Sequence, residues 1–575
     1  MNEADALAEF RTRANAFVAG SLANYDAKRH AKGKSIRDAI WGTSRFFAWE
    51  MAILDSPLLQ RLRDIRQTGL AYLVYPTALH TRFDHTLGVV TLASRIVRSI
   101  NEKCHEKHPD RQDARISHAN HMRIRLSALL HDVGHSCLSH VSETIFGASE
   151  EFKALTRHIN SAYRVNPKPH EIMSWLVVSS EAFEAFMDSL NTQNILTGWD
   201  YKGEDLKTIA GNIIGYRQDP QEKFLADIIN GPMDADKLDY LVRDAYFAGP
   251  TVVYDLDRFL HTVDAIEYPR DPSLADQGAR VVRLSIPIEG VTALEQIIIS
   301  KLMLFSYLYH HQKIRCVEGM YHEALKRWIK ISKQRPTAGG LPVLDHPVSF
   351  LHLSDRSLAP NAWPIEVHGD KELAELRDML MLRELYKRAL IISRLFVLNL
   401  DTDQEVKVGF DSLIGCGENA ADRDALREMV AEEALKVMGL RQYRETTREL
   451  RKRFGVRHLL LDIPRSPTVE ETEAVMVPVS SDAQGPDARY VPLIDVFPIG
   501  KWVDAYNAIK WRGHIFTIEE AVPYVNAAAR DVLCRAPYNL RFTSQATELC
   551  KIAHPIEGTY DGLDLQFPAL DKPKV

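Results

Sequence analysis

Apolar residues recur every three or four positions through most of the first two thirds of this chain, a spacing that predicts helices rather than strands. The helical spacing covers 44–75, with Pro57 suited to a first turn, and then 171–190, 221–230, 234–248 and 291–332. HMRIRLSALLH (121–131) predicts a strongly apolar helix running into a His-Asp pair. Strand-like alternation is scarce before 280, and VVRLSIPI (281–288) is the first convincing case. RPTAGGLPVLDHP (335–347) predicts a loop before a further helical block at 371–395. Beyond 400 the character changes. LLLDIPR (459–465) predicts a strand, SSDAQGPDARY (480–490) an exposed loop, and HIFTIEEAVPYV (514–525) mixes strand and helix signals. The expected architecture is mainly α: an N-terminal extension over 1–33, a helical domain over 34–400, and a smaller mixed α/β lobe over 401–575.

A chain of 575 residues is too long for one small domain. Its net charge of −6 argues against a wholly basic nucleic-acid coat but leaves room for local basic clefts. The six cysteines, at 104, 137, 316, 416, 534 and 550, form no CxxC pair, which suits scattered reduced thiols better than a disulfide framework or a zinc ribbon. MNEADALAEF has no apolar segment of a secretory signal, and no run of about 18 apolar residues occurs. A cytoplasmic protein without a membrane span is expected.

The chemistry concentrates in LSALLHDVGHSCLSH (126–140). His131 and Asp132 offer imidazole and carboxylate to one cation, a donor set that suits Mg, Mn, Fe or Zn more than soft thiolate chemistry. One His-Asp dipeptide arises easily by chance, but three features support it. His85 sits at a helix start in HTRFDHTLGVV (80–90), Asp236 opens a second helix in GPMDADKLDYLVRDAYFAG (231–249), and the order is H…HD…D. At about 100° per residue, Tyr240, Arg243 and Asp244 fall on the side of Asp236, with Lys237 just off that stripe. Such a stripe has the makeup of a phosphate-binding wall. The bland alternative is an amphipathic helix with Asp239 and Arg243 paired at i,i+4. His135, His140, Glu143 and His170 lie downstream, and His135 shares a face with His131 only if the helix continues past Gly134. Histidines near neutral pKa can protonate a leaving oxygen or hold a phosphate.

DSPLLQRLRDIRQTG (55–69), YPTALHTRFDHTLGV (75–89), LLHDVGHSCLSH (129–140), PHE (169–171), DADKLDYLVRDA (234–245) and LRELYKRALIIS (382–393) together resemble the dNTP triphosphohydrolases of the HD superfamily, from about Lys34 to about Ser393. HDVGH is similar to that branch. The HDxGK of cyclic-dinucleotide phosphodiesterases and the HDxxED of (p)ppGpp hydrolases are absent. The resemblance implies one divalent metal held by His85, His131, Asp132 and Asp236. It implies histidines around the α-phosphate at His135, His140 and His170, with His140 as general acid and Glu143 standing where the family has an Asp. Gln67, Arg82, Lys237, Tyr240, Arg243 or Asp244, and His310 or Tyr309 match substrate contacts. Thr68 replaces a family Leu that packs on the deoxyribose.

The resemblance further implies a homo-oligomer, dimer or tetramer, and an activating guanine nucleotide read by Lys34, Asp55, Gln60 and Arg63. DSPLLQRLR is equally good helix-capping and packing sequence. The implied reaction turns (deoxy)nucleoside triphosphate into nucleoside and inorganic triphosphate. Two other readings stay open. One is an HD-type nuclease or phosphodiesterase acting on single-stranded or cyclic nucleotides. The other is a nucleotide-sensing receptor, disfavoured because a receptor has no use for a proton donor. KWVDAYNAIKWRGHIFT (501–517), with two exposed-looking tryptophans amid basic residues, reads as a helix packed on the core or as a partner or nucleic-acid surface.

Overall fold

The computed structural model describes the chain except residues 1, 31, 108–115, 253, 269–279, 335–342, 364–369, 465–474, 480–488, 553–557, 561–562 and 566–575. The loops expected at 335–347 and 480–490 therefore lie largely outside the described residues. What is described is mainly helical, with a few small sheets.

The chain opens with the helix Glu3–Leu22, whose N-terminus is capped by the Asn2 side chain accepting from Asp5 N (2.8 Å). Phe10, Ala14, Phe17 and Val18 recur at helical spacing and bury one stripe. The stripe packs on the helices Glu150–Tyr163 and Glu181–Thr192, with Phe10 edge-on to Phe152 at 5.7 Å. The first 33 residues thus cover the helical core. An antiparallel hairpin, Lys34–Asp38 with Gly42–Phe46, follows. The helical spacing over 44–75 did not indicate it. Its strands are mostly exposed, so they carry little hydrophobic alternation for a sequence to record.

The next long helices frame the functional region. Arg82–Lys107 packs against His118–Leu130 and Ala235–Ala248. Ser117 caps His118–Leu130 by accepting from Asn120 N (3.2 Å), and Met122, Ile124, Leu126, Ala128, Leu129 and Leu130 are buried along it. A buried ion pair locks this layer. Arg125 donates through Nε and Nη2 to the two carboxylate oxygens of Glu50, both at 2.7 Å, and through Nη1 to Ser94 Oγ (2.6 Å). Burial pushes the Glu50 carboxyl up, and Arg125 and the Phe47 N–H pull it back.

By contacts the chain divides into two compact units, each assembled from separate stretches of sequence. The first comprises Met1–Leu308, Leu325–Asp370 and Val469–Pro498. In it, strands Asp264–Tyr268 and Val281–Ser285 pair, and Tyr268 and Tyr490 bond to backbone carbonyls across to the Met476–Pro478 and Tyr490–Pro492 hairpin. The second comprises Tyr309–Ala324, Lys371–Thr468 and Ile499–Val575. Its sheet runs Lys387–Ile392, Gly513–Thr517, Leu459–Asp462, antiparallel throughout with Gly513–Thr517 central. The helix Val522–Cys534 packs on the sheet and on Ala420–Met438.

Two expectations need correction. The helical block at 371–395 is a helix only over Lys371–Leu382, and Lys387–Ile392 is a strand. A short apolar run such as ALII is buried either way, so periodicity does not separate the two. The two tryptophans of 501–517 differ: Trp502 is half exposed, whereas Trp511 is buried with Nε1 donating to Pro464 O (2.8 Å). Ile288–Tyr309 is long and apolar enough to cross a membrane by length and composition alone, at mean hydropathy 1.4, and half of that window is buried inside the protein. Glu289, Glu295 and Lys301 interrupt its apolar run.

Truncating Arg125 leaves Glu50 as an uncompensated buried charge. Arg125→Ala is expected to destabilise the first unit by about 3–5 kcal/mol, read by chemical denaturation. A loss below about 1 kcal/mol would mean that the pair contributes no more than a surface one.

Candidate metal centre and its histidine cluster

The apolar side chains of His118–Leu130 anchor that helix inside the protein, so the residues at its C-terminal end emerge in a buried place. His131 caps the helix and Asp132 follows, both buried. The first turn of Arg82–Lys107 delivers His85. The first turn of Ala235–Ala248, capped by Asp234 accepting from Lys237 N (2.7 Å), delivers Asp236. His85 Nε2 lies 2.9 Å from Asp236 Oδ1, 3.3 Å from His131 Nε2 and 3.8 Å from Asp132 Oδ2. His131 Nε2 lies 3.4 Å from Asp132 Oδ1 and 4.0 Å from Asp236 Oδ1. The four residues expected as metal ligands converge.

The donor set fits a divalent cation. His85 Nδ1 meets Asp239 Oδ2 at 2.7 Å and His131 Nδ1 meets Ala128 O at 2.8 Å. With each Nδ1 proton so engaged, both Nε2 lone pairs face one point flanked by two carboxylates. Burial alone would push His85 down, yet Asp236 and Asp239 hold it up at about 10. The field there favours a positive charge, carried by a proton or by a cation. Burial likewise opposes ionisation of Asp132, and Arg82, His131 and His135 outweigh it, holding the carboxyl well below its usual range.

Asp239 was legible only as half of an i,i+4 pair. That pair exists, with Arg243 Nε and Nη2 at 2.7 and 2.9 Å from the two oxygens of Asp239, and Trp41 Nε1 and His85 join on the same carboxylate. Arg243, 1 % exposed, also reaches Asp38 Oδ2 at 2.9 Å. The residues of the expected phosphate wall also have partners within the protein. Arg243 backs the metal centre from inside, because its charge answers Asp239 and Asp38. Asp244 is buried against His80 Nε2 (2.8 Å), and Lys237 Nζ donates to Asp234 Oδ2 and Gly231 O, each at 2.8 Å. Tyr240 is half-buried. Gly88, one turn after His85, leaves room for this arrangement. A Cβ there would stand 1.8 Å from Asp239 Oδ1.

Arg82 links the metal quartet to its surroundings. Its Nη1 donates to Asp132 Oδ2 (2.8 Å), Nε to Ser139 Oγ (3.2 Å) and Nη2 to Gln67 O (3.4 Å). The Gln67 side-chain oxygen is buried with no hydrogen-bond partner among the described residues. His310 belongs to the second unit, where burial, with Arg315 beside it, holds it down at about 4.

The helix stops at Leu130, so His135 reaches the site by a turn rather than by sharing a face with His131. Gly134 is required in that turn, because a Cβ would lie 2.2 Å from Ser174 N and 2.5 Å from His170 O. The Pro169–Val178 helix can therefore press against the turn and deliver His170. Glu143 gathers three histidines. Its Oε1 is 2.8 Å from His135 Nδ1 and 3.1 Å from His170 Nδ1, and Oε2 is 3.2 Å from His140 Nδ1. The His135 and His170 rings stack at 4.0 Å, and His135 Nε2 lies 3.2 Å from Asp132 Oδ1. Burial, with Arg82 and His170, holds His135 down at about 4, so it is neutral at pH 7. Glu143 outweighs burial at His170 and raises it. The side chain of His140 is 67 % exposed, alone among the three.

The residues expected to read an activating nucleotide form two neighbouring pairs. Lys34 Nζ is 3.7 Å from Asp55 Oδ2, and Arg63 Nε donates to Gln60 Oε1 (2.9 Å). Gln60 in turn donates to Leu54 O (2.7 Å), and the Arg63 guanidinium lies 3.7 Å over the Phe83 ring.

Residues 82–191 match the HD domain family, so the chain carries an HD domain, and Asp236 joins the quartet from beyond it. The chain is similar to deoxynucleoside triphosphate triphosphohydrolase SAMHD1 of Bos taurus, 33 % identical over 40 % of this chain and 38 % of that protein. The SAMHD1 homolog of Dictyostelium discoideum is 27 % identical over 63 % of this chain and 61 % of that protein. An uncharacterized protein of Methanocaldococcus jannaschii is 30 % identical over 56 % of each. The chain thus spans less than two thirds of these relatives. A crystal structure of a hypothetical protein from Aquifex aeolicus shares the fold at TM-score 0.52 and 22 % identity, covering 86 % of this chain and 99 % of that one.

Asp239→Asn keeps the shape at His85 Nδ1 and removes the charge that orients it. Affinity for Mn²⁺, titrated directly, is expected to fall roughly 10- to 100-fold. Unchanged affinity would show that His85 is not held as a ligand through Asp239.

Proposed function

We propose that the chain hydrolyses deoxynucleoside triphosphates to nucleoside and inorganic triphosphate, with one divalent cation held by His85, His131, Asp132 and Asp236. The observation that carries the reading is the junction at Asp132. This carboxylate belongs to the metal quartet and lies 3.2 Å from His135, the first of three histidines gathered by Glu143. The relatives named as dNTP triphosphohydrolases support the same substrate.

A cation at the quartet supplies Lewis acidity toward a phosphoryl oxygen. The protein's own groups supply the rest. Water adds to the α-phosphorus and gives up a proton to solvent, the bond to the 5′-oxygen breaks, and protonated His140 gives its proton to that oxygen as the nucleoside leaves. Glu143 orients His140 through Nδ1. His170, raised by Glu143, adds positive charge beside the phosphate, while neutral His135 keeps the stacked pair from carrying two charges. Arg82, which donates to Asp132, would meet the phosphates beside it, and the Gln67 oxygen, without a hydrogen-bond partner among the described residues, suits a sugar hydroxyl.

Lys34, Asp55, Gln60 and Arg63 are proposed to bind an activating guanine nucleotide in a homo-oligomer. Asp55 accepts from the base edge and the cations hold phosphate. Arg63 over Phe83 connects this cluster to the helix turn that carries His85.

Purified protein with Mn²⁺ or Mg²⁺, given each dNTP alone and then all four together, is expected to release nucleoside and triphosphate. Chelation should abolish turnover, and so should His131→Ala or Asp132→Ala with the fold intact. Cleavage of a labelled oligonucleotide without any nucleoside from dNTPs would favour the nuclease reading instead. Asp55→Ala is expected to remove any stimulation by a guanine nucleotide while leaving Mn²⁺ binding as it was. Stimulation that survives the change would place the activator elsewhere.

A further inference from the structure

Asp355 lies in the first unit, far along the chain from the quartet and from the histidines that Glu143 gathers, and it is buried. Its Oδ1 accepts from Leu138 N (2.6 Å) and its Oδ2 from Arg66 N (2.8 Å), with Arg66 Nη1 3.8 Å away. Its own N–H donates to Asp64 O (3.0 Å). One carboxylate thus joins two loops, each ending at a residue of the proposed site: Leu138 and Ser139 precede His140, and Arg66 precedes Gln67. Ser139 adds a third bond, donating from Oγ to Arg66 O (2.8 Å) while accepting from Arg82 Nε (3.2 Å).

The turn so held is strained. Leu138 and Ser139 have φ of 55° and 47°, and Ser139 has ψ of −115°, a backbone conformation that side-chain-bearing residues keep only when their surroundings impose it. The carboxylate is also kept at a cost. Burial pushes Asp355 up to about 6, against the pull of two backbone N–H groups and Arg66. An apolar residue would avoid that cost but would leave two buried amides without acceptors. Asp355 touches none of the four metal-binding side chains, so what it controls is separable from metal binding.

We infer that Asp355 is a positioning residue: by pinning the Leu138–Ser139 turn to Arg66–Gln67 it sets where His140 stands relative to the departing 5′-oxygen. The inference rests on the reading of His140 as proton donor, and the test distinguishes failure of one from failure of the other.

Asp355→Asn presents an amide N–H₂ where one of the two N–H donors needs an acceptor. The full-length variant is compared with wild type and His140→Ala on a dNTP and on a p-nitrophenyl phosphodiester. The p-nitrophenolate leaves without needing a proton. Asp355→Asn is expected to lose about 10- to 100-fold in kcat on the dNTP with little change in KM. Turnover of the p-nitrophenyl ester and Mn²⁺ affinity should stay near wild type. His140→Ala should show the same selectivity, and the double variant should be no slower than His140→Ala alone. If Asp355→Asn does not fold, Asp355→Glu keeps both acceptor oxygens on a longer side chain that displaces the same stitch and should show the same selective loss, smaller in size. Equal losses on both substrates, or additive losses in the double variant, would overturn the inference while leaving His140 as donor. Wild-type dNTP turnover in His140→Ala would overturn both.

Discussion

The carboxylate of Asp132 is the constraint on which the site depends. It lies within reach of His131 and His85 on the metal side, His135 on the other side, and Arg82 above, all in surroundings nearly closed to water. A bare carboxylate buried this deeply would take up a proton. Here Arg82, with His131 behind it, keeps it ionised, and an ionised Asp132 is what a cation requires. The geometry of the three helix ends therefore follows from a charge balance that holds only when they meet.

That balance extends outward in layers of alternating charge. His85 is backed by Asp239, Asp239 by Arg243 and Trp41, and Arg243 by Asp38 on the N-terminal hairpin. Asp38 and Trp41 thereby tie the orientation of His85 to the hairpin. On the other side, Glu143 divides one negative charge among three histidines, of which two are buried and stacked and one is exposed. Unequal neighbouring charge gives equally buried side chains different roles: desolvation with Arg82 suppresses charge on His135, while Glu143 sustains it on His170. The small residues in this region serve the same geometry: Gly88 and Gly134 stand where any side chain would displace a ligand's support or the incoming His170 helix.

Much of this was legible in the chain. The apolar helix before the His-Asp pair, the helix start at His85, the helix carrying Asp236 and the strands at 281–288 and 459–465 follow from local spacing, because each buries a stripe or a run of its own. The phosphate wall was legible only as a stripe of residues. Spacing places Arg243 on the side of Asp236 but does not reveal that Asp38, two hundred residues earlier, claims its guanidinium. Lys387–Ile392 was misread for a related reason, since a short buried apolar run takes its conformation from the strand beside it, here Gly513–Thr517.

The sequence by itself determined which chemistry the protein carries. His85, His131, Asp132 and Asp236 stand at helix ends fixed by local apolar spacing and capping, and glycine at 88 and 134 leaves the space they need. Only the tertiary structure decided which charged groups face inward and which face the site, because that depends on partners remote in sequence. Asp239 became the support of His85, Arg243 became a structural counter-charge, and Asp355, unremarkable in its own segment, came to join two loops more than two hundred residues away. A buried charge is stable only beside its complement, and which complement arrives is a property of the folded chain.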